Sequence, residues 1–152
     1  MKPILLSLAL LALFGFGLTA SESPNMDLGV LRVVICNWET RGEAKPDEYV
    51  GYSGEVGYCA VRISTARLLG FKGTGKDLMN RQTNMRYAMK WIKRCYGRGN
   101  RTIAMLARCY NGPLAPAGYI RQIRSDYADA YKHKYGPAIK LAIWNTRKGE
   151  ET

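Results

Sequence analysis

Histidine is almost absent from this sequence, and acidic residues are few. Its 152 residues contain one histidine, His133, and 12 Asp and Glu against 23 Lys and Arg, which gives a net charge of +11. One histidine makes a His-rich metal centre or a Ser-His-Asp triad hard to build. The sequence therefore implies no metal ion and no organic cofactor, and its charge predicts an anionic partner such as nucleic acid, an acidic membrane or a cell-wall polymer.

The sequence also lacks an apolar run of typical membrane-spanning length. The stretch from Ile4 to Leu18 has about 15 residues, whereas a spanning helix needs roughly 20. Because Lys2 precedes it and Thr19-Ala20 and a polar stretch follow, the pattern is typical of a secretory signal peptide. We predict cleavage after Ala20, an exported domain of residues 21–152 in the periplasm or outside the cell, and no stable membrane span after processing. An uncleaved anchor is the alternative.

Cysteine occurs only four times, at Cys36, Cys59, Cys95 and Cys109. Their separations fit no zinc pattern, because structural zinc sites use close pairs of ligands. Since the chain is predicted to reach an oxidising compartment, two disulfides are expected. Three pairings are open, of which Cys95–Cys109 would link two consecutive helices across a short turn. Four buried free thiols are the alternative.

Apolar residues recur mostly at helical spacing, and no convincing strand alternation is present. The predicted helices cover 28–38, 60–69, 85–95, 102–110, 118–135 and 138–144, with a loop over 41–56 and a turn over 72–75. Asn25 or Asp27 is placed to cap the first helix, and Thr83 to cap the third. The predicted fold is a small single domain, all-α or nearly so, with a long loop after the first helix.

Two patterns resemble phosphate-binding sites but lack the required context. Residues 70–76 match the letters G-x-x-x-x-G-K, but a helical segment precedes them, and Asp77 follows where a phosphate-binding loop needs Ser or Thr. The basic helices over 81–108 carry no recognised nucleic-acid module. We interpret residues 70–76 as a turn. We interpret the basic helices as a solvated surface or as a surface that attracts an anionic envelope polymer. No nucleic-acid partner is expected, and His133 is predicted to lie on the surface.

Glu39 is a candidate acid because of the residues that precede it. It closes the first predicted helix after Val34, Ile35 and Trp38, and it stands at the start of the glycine-rich loop. A carboxyl group at the edge of an apolar surface has its charged form disfavoured, so its pKa rises. An acid that is protonated near neutrality can give a proton to the leaving oxygen of a glycosidic bond. A solvent-exposed glutamate at a helix end is the alternative.

Five separated segments stand in an order that resembles one enzyme family. They are Trp38-Glu39-Thr40, the run GEVGYCAVRISTA at 54–66, Thr83-Asn84, the block ARCYNGP at 107–113, and YIRQI at 119–123. In order and spacing they resemble the Glu-Ser junction, G-x-x-G helix, Thr-Asn helix start, Tyr-Asn-Gly block and closing tyrosine helix of lytic transglycosylases. The lysozyme-like domain of that family cuts peptidoglycan, and the resemblance covers about residues 28–130.

The resemblance implies a lysozyme-like fold and cleavage of the β-1,4 bond between N-acetylmuramic acid and N-acetylglucosamine. Glu39 would be the sole acid and base, protonating the glycosidic oxygen and then deprotonating the muramic C6 hydroxyl as that oxygen closes on C1. The product is a 1,6-anhydro sugar. The implied partners are the glycan strands and an envelope-spanning secretion or phage apparatus. The implied substrate-binding residues are Ser53, Gly57, Tyr58, Tyr110, Asn111 and Tyr119, with the Tyr110 hydroxyl beside the acid.

The chain departs from the family pattern at several positions. Ala60 stands in place of a substrate-binding glutamine, Cys59 in place of methionine, and Gly51 in place of a loop serine for which Ser53 substitutes. The loop after Glu39 is longer than usual, which makes Glu43 a rival acid.

Two other functions therefore stay open. One is a hydrolytic lysozyme that resembles the goose type, in which a second carboxylate holds a water molecule. The loop offers four candidates for that carboxylate: Glu43, Asp47, Glu48 and Glu55. The other is a catalytically weak protein that binds peptidoglycan or assists assembly. This hypothesis rests on Ala60, which stands in place of the substrate-binding glutamine.

Overall fold

The computed structural model describes residues 26–135, and most of that stretch is helical. In chain order the elements are α1 (Leu28–Glu39), a 3₁₀ turn (Pro46–Glu48), β1 (Glu55–Val56), β2 (Val61–Arg62), α2 (Ile63–Leu68), α3 (Gly75–Met79), α4 (Arg81–Gly97), α5 (Ile103–Asn111) and α6 (Ala117–Tyr135). The prediction of a nearly all-α fold is confirmed. The predicted signal peptide at 1–20 and the predicted helix at 138–144 lie outside the described residues.

The hydrophobic core lies where α1 packs against α4 and α6, with α5 between the last two. Its fully buried members are Leu31, Ile35, Ile92, Cys95, Leu106, Ala107 and Ile123. Asp27 fixes the start of α1, because its Oδ1 accepts hydrogen bonds from the N–H groups of Gly29 at 2.7 Å and Val30 at 3.1 Å. This packing holds the last turn of α1, which ends in Glu39, against the start of α6.

The segment between α1 and α4 differs from the sequence prediction. The two strands pair antiparallel, and residues 57–60 form the turn between them. In this turn Gly57 and Ala60 have φ angles of +71° and +46°, and the Ala60 N–H donates to the Gly57 carbonyl at 2.8 Å. The helix predicted over 60–69 therefore starts only at Ile63. Two-residue strands are too short to show an alternating pattern, which is why the hairpin was missed.

The sequence prediction also missed helix α3 and named the wrong cap for α4. The turn predicted over 72–75 leads directly into α3, where Thr74 and Asp77 form a reciprocal capping box. Helix α4 begins at Arg81, and its cap is Asn80, whose Oδ1 accepts from the Thr83 N–H at 3.1 Å. The prediction that Thr83 caps this helix is wrong because Asn80 supplies the acceptor one residue before the helix starts.

Both expected disulfides are present, and no cysteine is free. Cys36–Cys59 joins α1 to the hairpin turn, and Cys95–Cys109 joins α4 to α5. The preferred Cys95–Cys109 link is confirmed, and the alternative of four free thiols is wrong. Within residues 26–135 no helix combines the length and apolarity needed to cross a membrane. His133 lies exposed near the end of α6.

Candidate active site

A groove of about 280 Å³ opens between the β-hairpin and the end of α5. Its lining includes three of the residues that the sequence singled out, namely Glu39, Tyr110 and Asn111. The other residues that line it are Glu55, Ala60, Val61, Arg62, Thr65, Trp91, Cys109, Gly112 and Pro113. The groove therefore combines polar groups, an aromatic ring and two carboxyl groups.

Glu39 lies at this groove. Its carboxyl group is largely buried, and one of its two oxygens accepts hydrogen bonds. Its Oε1 accepts hydrogen bonds from the Tyr119 hydroxyl at 2.7 Å and from the Asn111 amide at 3.5 Å. Burial raises the pKa of Glu39; the two hydrogen bonds oppose that rise, and the nearby charge of Glu55 adds to it. The net direction is upward, so this carboxyl group holds its proton to a higher pH than an ordinary glutamic acid does.

The raised pKa of Glu39 links the stability of the fold to pH. The folded chain binds this proton more tightly than the unfolded chain, whose glutamate has the ordinary pKa of 4.5. The Glu39 contribution to stability is therefore complete below the unfolded pKa and is lost as pH rises through the folded pKa. Because glutamine does not titrate, we expect Glu39→Gln to gain free energy of unfolding relative to the parent as the pH rises above the unfolded pKa of 4.5.

Urea unfolding at several pH values measures this difference. Glu43→Gln is the matched control, because it removes one exposed carboxylate from the turn that follows the same helix. A Glu39→Gln difference that stays constant with pH, or that moves in the opposite direction, would contradict the raised pKa.

The tyrosine beside the acid is Tyr119, which corrects the expectation for Tyr110. The Tyr110 hydroxyl donates instead to the backbone carbonyl of Cys59 at 2.7 Å. Burial raises the pKa of both tyrosines, and the negative charge of Glu39 raises both further, so both hydroxyls stay protonated and act as donors. The ring of Trp38 meets that of Tyr119 edge to face, with the centroids 6.3 Å apart. Tyr119 is thus held by packing as well as by its hydrogen bond.

Removing the Tyr119 hydroxyl should raise the pKa of Glu39. The hydrogen bond from Tyr119 stabilises the carboxylate form of Glu39 and so lowers its pKa. In Tyr119→Phe this lowering is lost, and burial raises the pKa of Glu39 further. We expect the titration of the Glu39 carboxyl carbon, followed by carbon-13 NMR, to shift to higher pH. In the matched control Tyr110→Phe, the lost hydrogen bond is one to a backbone carbonyl and not to Glu39. An unchanged or lower Glu39 pKa in Tyr119→Phe would refute this arrangement.

Glu55 is the second carboxyl group of the groove, and its environment is opposite to that of Glu39. Burial would raise its pKa, but hydrogen bonds from its own backbone N–H, from Arg62 and from the Ser53 N–H outweigh burial and lower it. The Arg62 guanidinium lies 2.8 Å from Glu55 Oε1, and the Ser53 N–H lies 2.9 Å from Oε2. The groove therefore contains one carboxyl group whose pKa is raised and one whose pKa is lowered.

The remaining carboxylates of the loop do not line the groove. Glu43 is exposed in the turn after α1. Asp47 pairs with Arg81, with Nε 2.9 Å from Oδ1, and Glu48 pairs with Lys45 at 3.2 Å. Of the four loop carboxylates that the sequence offered, the hairpin brings only Glu55 beside Glu39.

Four predicted substrate-binding residues lie outside the groove lining: Tyr119, which contacts Glu39 from α6, and Ser53, Gly57 and Tyr58. Ser53 is exposed, and its backbone N–H donates a hydrogen bond to the Glu55 carboxylate. Tyr58 contacts Asn37 through its hydroxyl, and its ring lies under the guanidinium of Arg81 at 4.2 Å. At Gly57 a Cβ atom would meet the Asn84 amide nitrogen at 2.6 Å. Glycine is needed at position 57 because Asn84 packs against it.

Sequence reasoning missed Trp91 and Arg62 as groove residues. Trp91 on α4 is half-buried, lines the groove and has the Arg98 guanidinium 5.8 Å from its ring centroid. An aromatic face in a polar groove suits the apolar face of a sugar ring. Ala60, the position of the family glutamine, also lines the groove, but its methyl group offers no hydrogen bond.

Comparison with known proteins yields no match, whether to a protein-family model, to a curated protein or to a solved structure. The resemblance to lytic transglycosylases therefore stays a prediction that rests on the residues named above.

Proposed function

We propose that this chain is an exported peptidoglycan lytic transglycosylase in which Glu39 is the general acid and base. The observation that carries the proposal is the position of Glu39 at the groove, where burial favours its protonated form and Tyr119 orients it. A proton donor near neutrality is what departure of a glycosidic oxygen requires. The two disulfides and the positive charge fit an exported protein that acts on the anionic wall.

The hydrogen bonds of Glu39 indicate which of its oxygens reacts. Tyr119 and Asn111 both engage Oε1, and no group of the described residues hydrogen-bonds to Oε2. Oε2 would give its proton to the oxygen between the two sugars, leaving a carboxylate that takes the proton from the muramic C6 hydroxyl. As the C6 oxygen bonds to C1, the leaving sugar carries away the first proton, and Glu39 ends protonated. No water is consumed.

The structure supports Glu39 over its rival Glu43. Glu43 is exposed and does not line the groove. Its carboxyl group therefore lacks the burial and the place in the groove that Glu39 has. Glu39 also has a hydrogen-bonding partner on α6, which fixes the direction of its side chain.

A hydrolytic lysozyme is the second candidate, and Glu55 is the observation that favours it. Glu39 and Glu55 share the groove, and their surroundings shift their pKa values in opposite directions. In such a pair the carboxyl group with the raised pKa, Glu39, is the candidate acid, and the one with the lowered pKa, Glu55, is the candidate base. In this reaction ionised Glu55 would activate a water molecule that attacks C1, and the product would have a reducing end.

Mass spectrometry of digested peptidoglycan in ¹⁸O-labelled water separates these reactions. Transglycosylation gives 1,6-anhydromuramic ends without the label, and we expect this product. Reducing muramic ends with one ¹⁸O atom would show hydrolysis and reject transglycosylation. Absence of any product would reject both and favour a protein that only binds the wall. Glu55→Gln provides a matched variant, because transglycosylation does not use that carboxylate, whereas hydrolysis requires it.

A further inference from the structure

A second cleft lies between α5 and α6 and shares no residue with the groove beside Glu39. Its volume is about 420 Å³. Three arginines line it, Arg108 from α5 and Arg121 and Arg124 from α6, and no acidic residue does. Every charged group at this cleft is therefore a guanidinium.

Two of the three arginines at this cleft have no acidic partner among residues 26–135. From Leu78 to Ser125 the sequence contains no aspartate and no glutamate. Arg108 and Arg121 are exposed, and the side chain of neither makes a hydrogen bond or an ion pair with another residue of the 26–135 stretch. A cluster of uncompensated guanidinium groups attracts an anion, and the planar guanidinium suits the paired oxygens of a phosphate better than an ammonium does.

Apolar side chains accompany the arginines. Ile120 and Met105 line the cleft, and Met105 is 40 % exposed. Leu114, in the loop that joins α5 to α6, is 93 % exposed. Basic side chains next to exposed aliphatic ones are typical of a surface that sits on anionic lipid, since the charges meet the headgroups while the aliphatic groups enter the boundary of the acyl chains.

We propose that this cleft docks the protein on an anionic phospholipid membrane, with Arg108 and Arg121 binding headgroup phosphates and Leu114 and Met105 entering the interface. An acidic protein segment is the other occupant of matching charge. The lipid surface is favoured because α5 and the first half of α6, which form the cleft, carry no acidic residue, and because Leu114 in the loop between them projects into solvent. This docking does not depend on the proposed glycan cleavage.

Vesicle binding by the purified exported protein tests this proposal at physiological salt. Sedimentation with phosphatidylcholine vesicles is compared with sedimentation with vesicles that also contain phosphatidylglycerol. We expect binding only to the anionic vesicles. Each arginine lost at a membrane surface weakens binding about 5-fold, so Arg108→Gln/Arg121→Gln should bind about 30-fold more weakly than the parent.

Three further variants make the test specific to the cleft. Lys72→Gln/Lys132→Gln removes the same charge from exposed positions outside the cleft and should retain most of the binding. Arg108→Lys/Arg121→Lys keeps the charge but loses the guanidinium geometry, and Leu114→Ser removes the apolar contact; both should weaken binding. Circular dichroism verifies the fold of each variant, and the Arg108→Gln/Arg121→Gln variant should cleave soluble glycan fragments as the parent does.

Several results would overturn the proposal. These are no binding to anionic vesicles, equal binding to both kinds of vesicle, or an equal loss in the cleft variant and the lysine control. Arginine-dependent binding of a poly-glutamate peptide without vesicle binding would instead assign the cleft to an acidic protein segment. None of these outcomes depends on glycan products, so failure of the docking proposal and failure of the proposed function are separately visible.

Discussion

Glu39→Gln should reduce glycan cleavage by about 10³-fold, because glutamine cannot give a proton to the leaving oxygen or take one afterwards. The amide has nearly the same size as the carboxyl group and can still accept the hydrogen bond of Tyr119 through its oxygen, so the groove should keep its shape. Release of soluble fragments from purified sacculi measures the loss. Binding to sacculi, measured by co-sedimentation, should be unchanged.

The control for this prediction is Glu43→Gln, which should cleave at a rate close to that of the parent. Glu43 is the only other acid in the turn directly after α1, and it is exposed. Loss of activity in Glu43→Gln with retention in Glu39→Gln would show that the acid was assigned to the wrong residue. Equal activity of the parent and both variants would mean that the cleavage does not come from this groove.

Asn84→Ala should lower the free energy of unfolding by about 3 kcal/mol or more, since three buried backbone groups lose their partner and each costs about 1–3 kcal/mol. The Asn84 side chain is fully buried on α4. Its amide nitrogen donates to the carbonyls of Val56 at 2.7 Å and Leu78 at 2.9 Å, and its oxygen accepts from the Cys59 N–H at 2.7 Å. One side chain thus ties the β-hairpin and α3 to α4.

Urea unfolding measures the Asn84 effect, with Gln82→Ala as the control on the same helix. Gln82 is exposed, so its replacement should change stability by no more than about 0.5 kcal/mol. We also expect weaker glycan cleavage in Asn84→Ala, because the Cys59 backbone that Asn84 holds also carries the carbonyl that anchors Tyr110. A destabilisation no larger than that of the control would contradict the role of Asn84 in holding the β-hairpin and α3 against α4.

The parts of the fold that the sequence predicted are those with a strong local signal. Helix α1 follows an apolar period and starts at Asp27, which caps it, and α5 starts after Thr102 for the same reason. The Cys95–Cys109 link was preferred because consecutive helices place both cysteines near one turn. In each case residues close in sequence decide the outcome.

The parts of the site that the sequence did not predict depend on contacts between distant segments. Tyr119 reaches Glu39 across 80 positions of the chain because α6 packs over the end of α1. The sequence alone does not distinguish the four carboxylates of the loop. The pairing of β1 with β2 places Glu55 in the groove. Asn84 was noted as part of a helix start, but nothing local shows that a polar side chain is buried against three backbone groups.

Both disulfides involve residues that position Tyr110, so the groove depends on the redox conditions around the chain. Cys59 supplies the carbonyl that holds Tyr110, and Cys109 directly precedes Tyr110 on α5. Reducing conditions in the cytosol leave both links unmade, and a missing native disulfide typically costs a small domain about 2–5 kcal/mol. That loss is comparable with the whole stability of many domains of this size. A chain that has not met an oxidant thus lacks both of the links that help to hold Tyr110 in place at the groove.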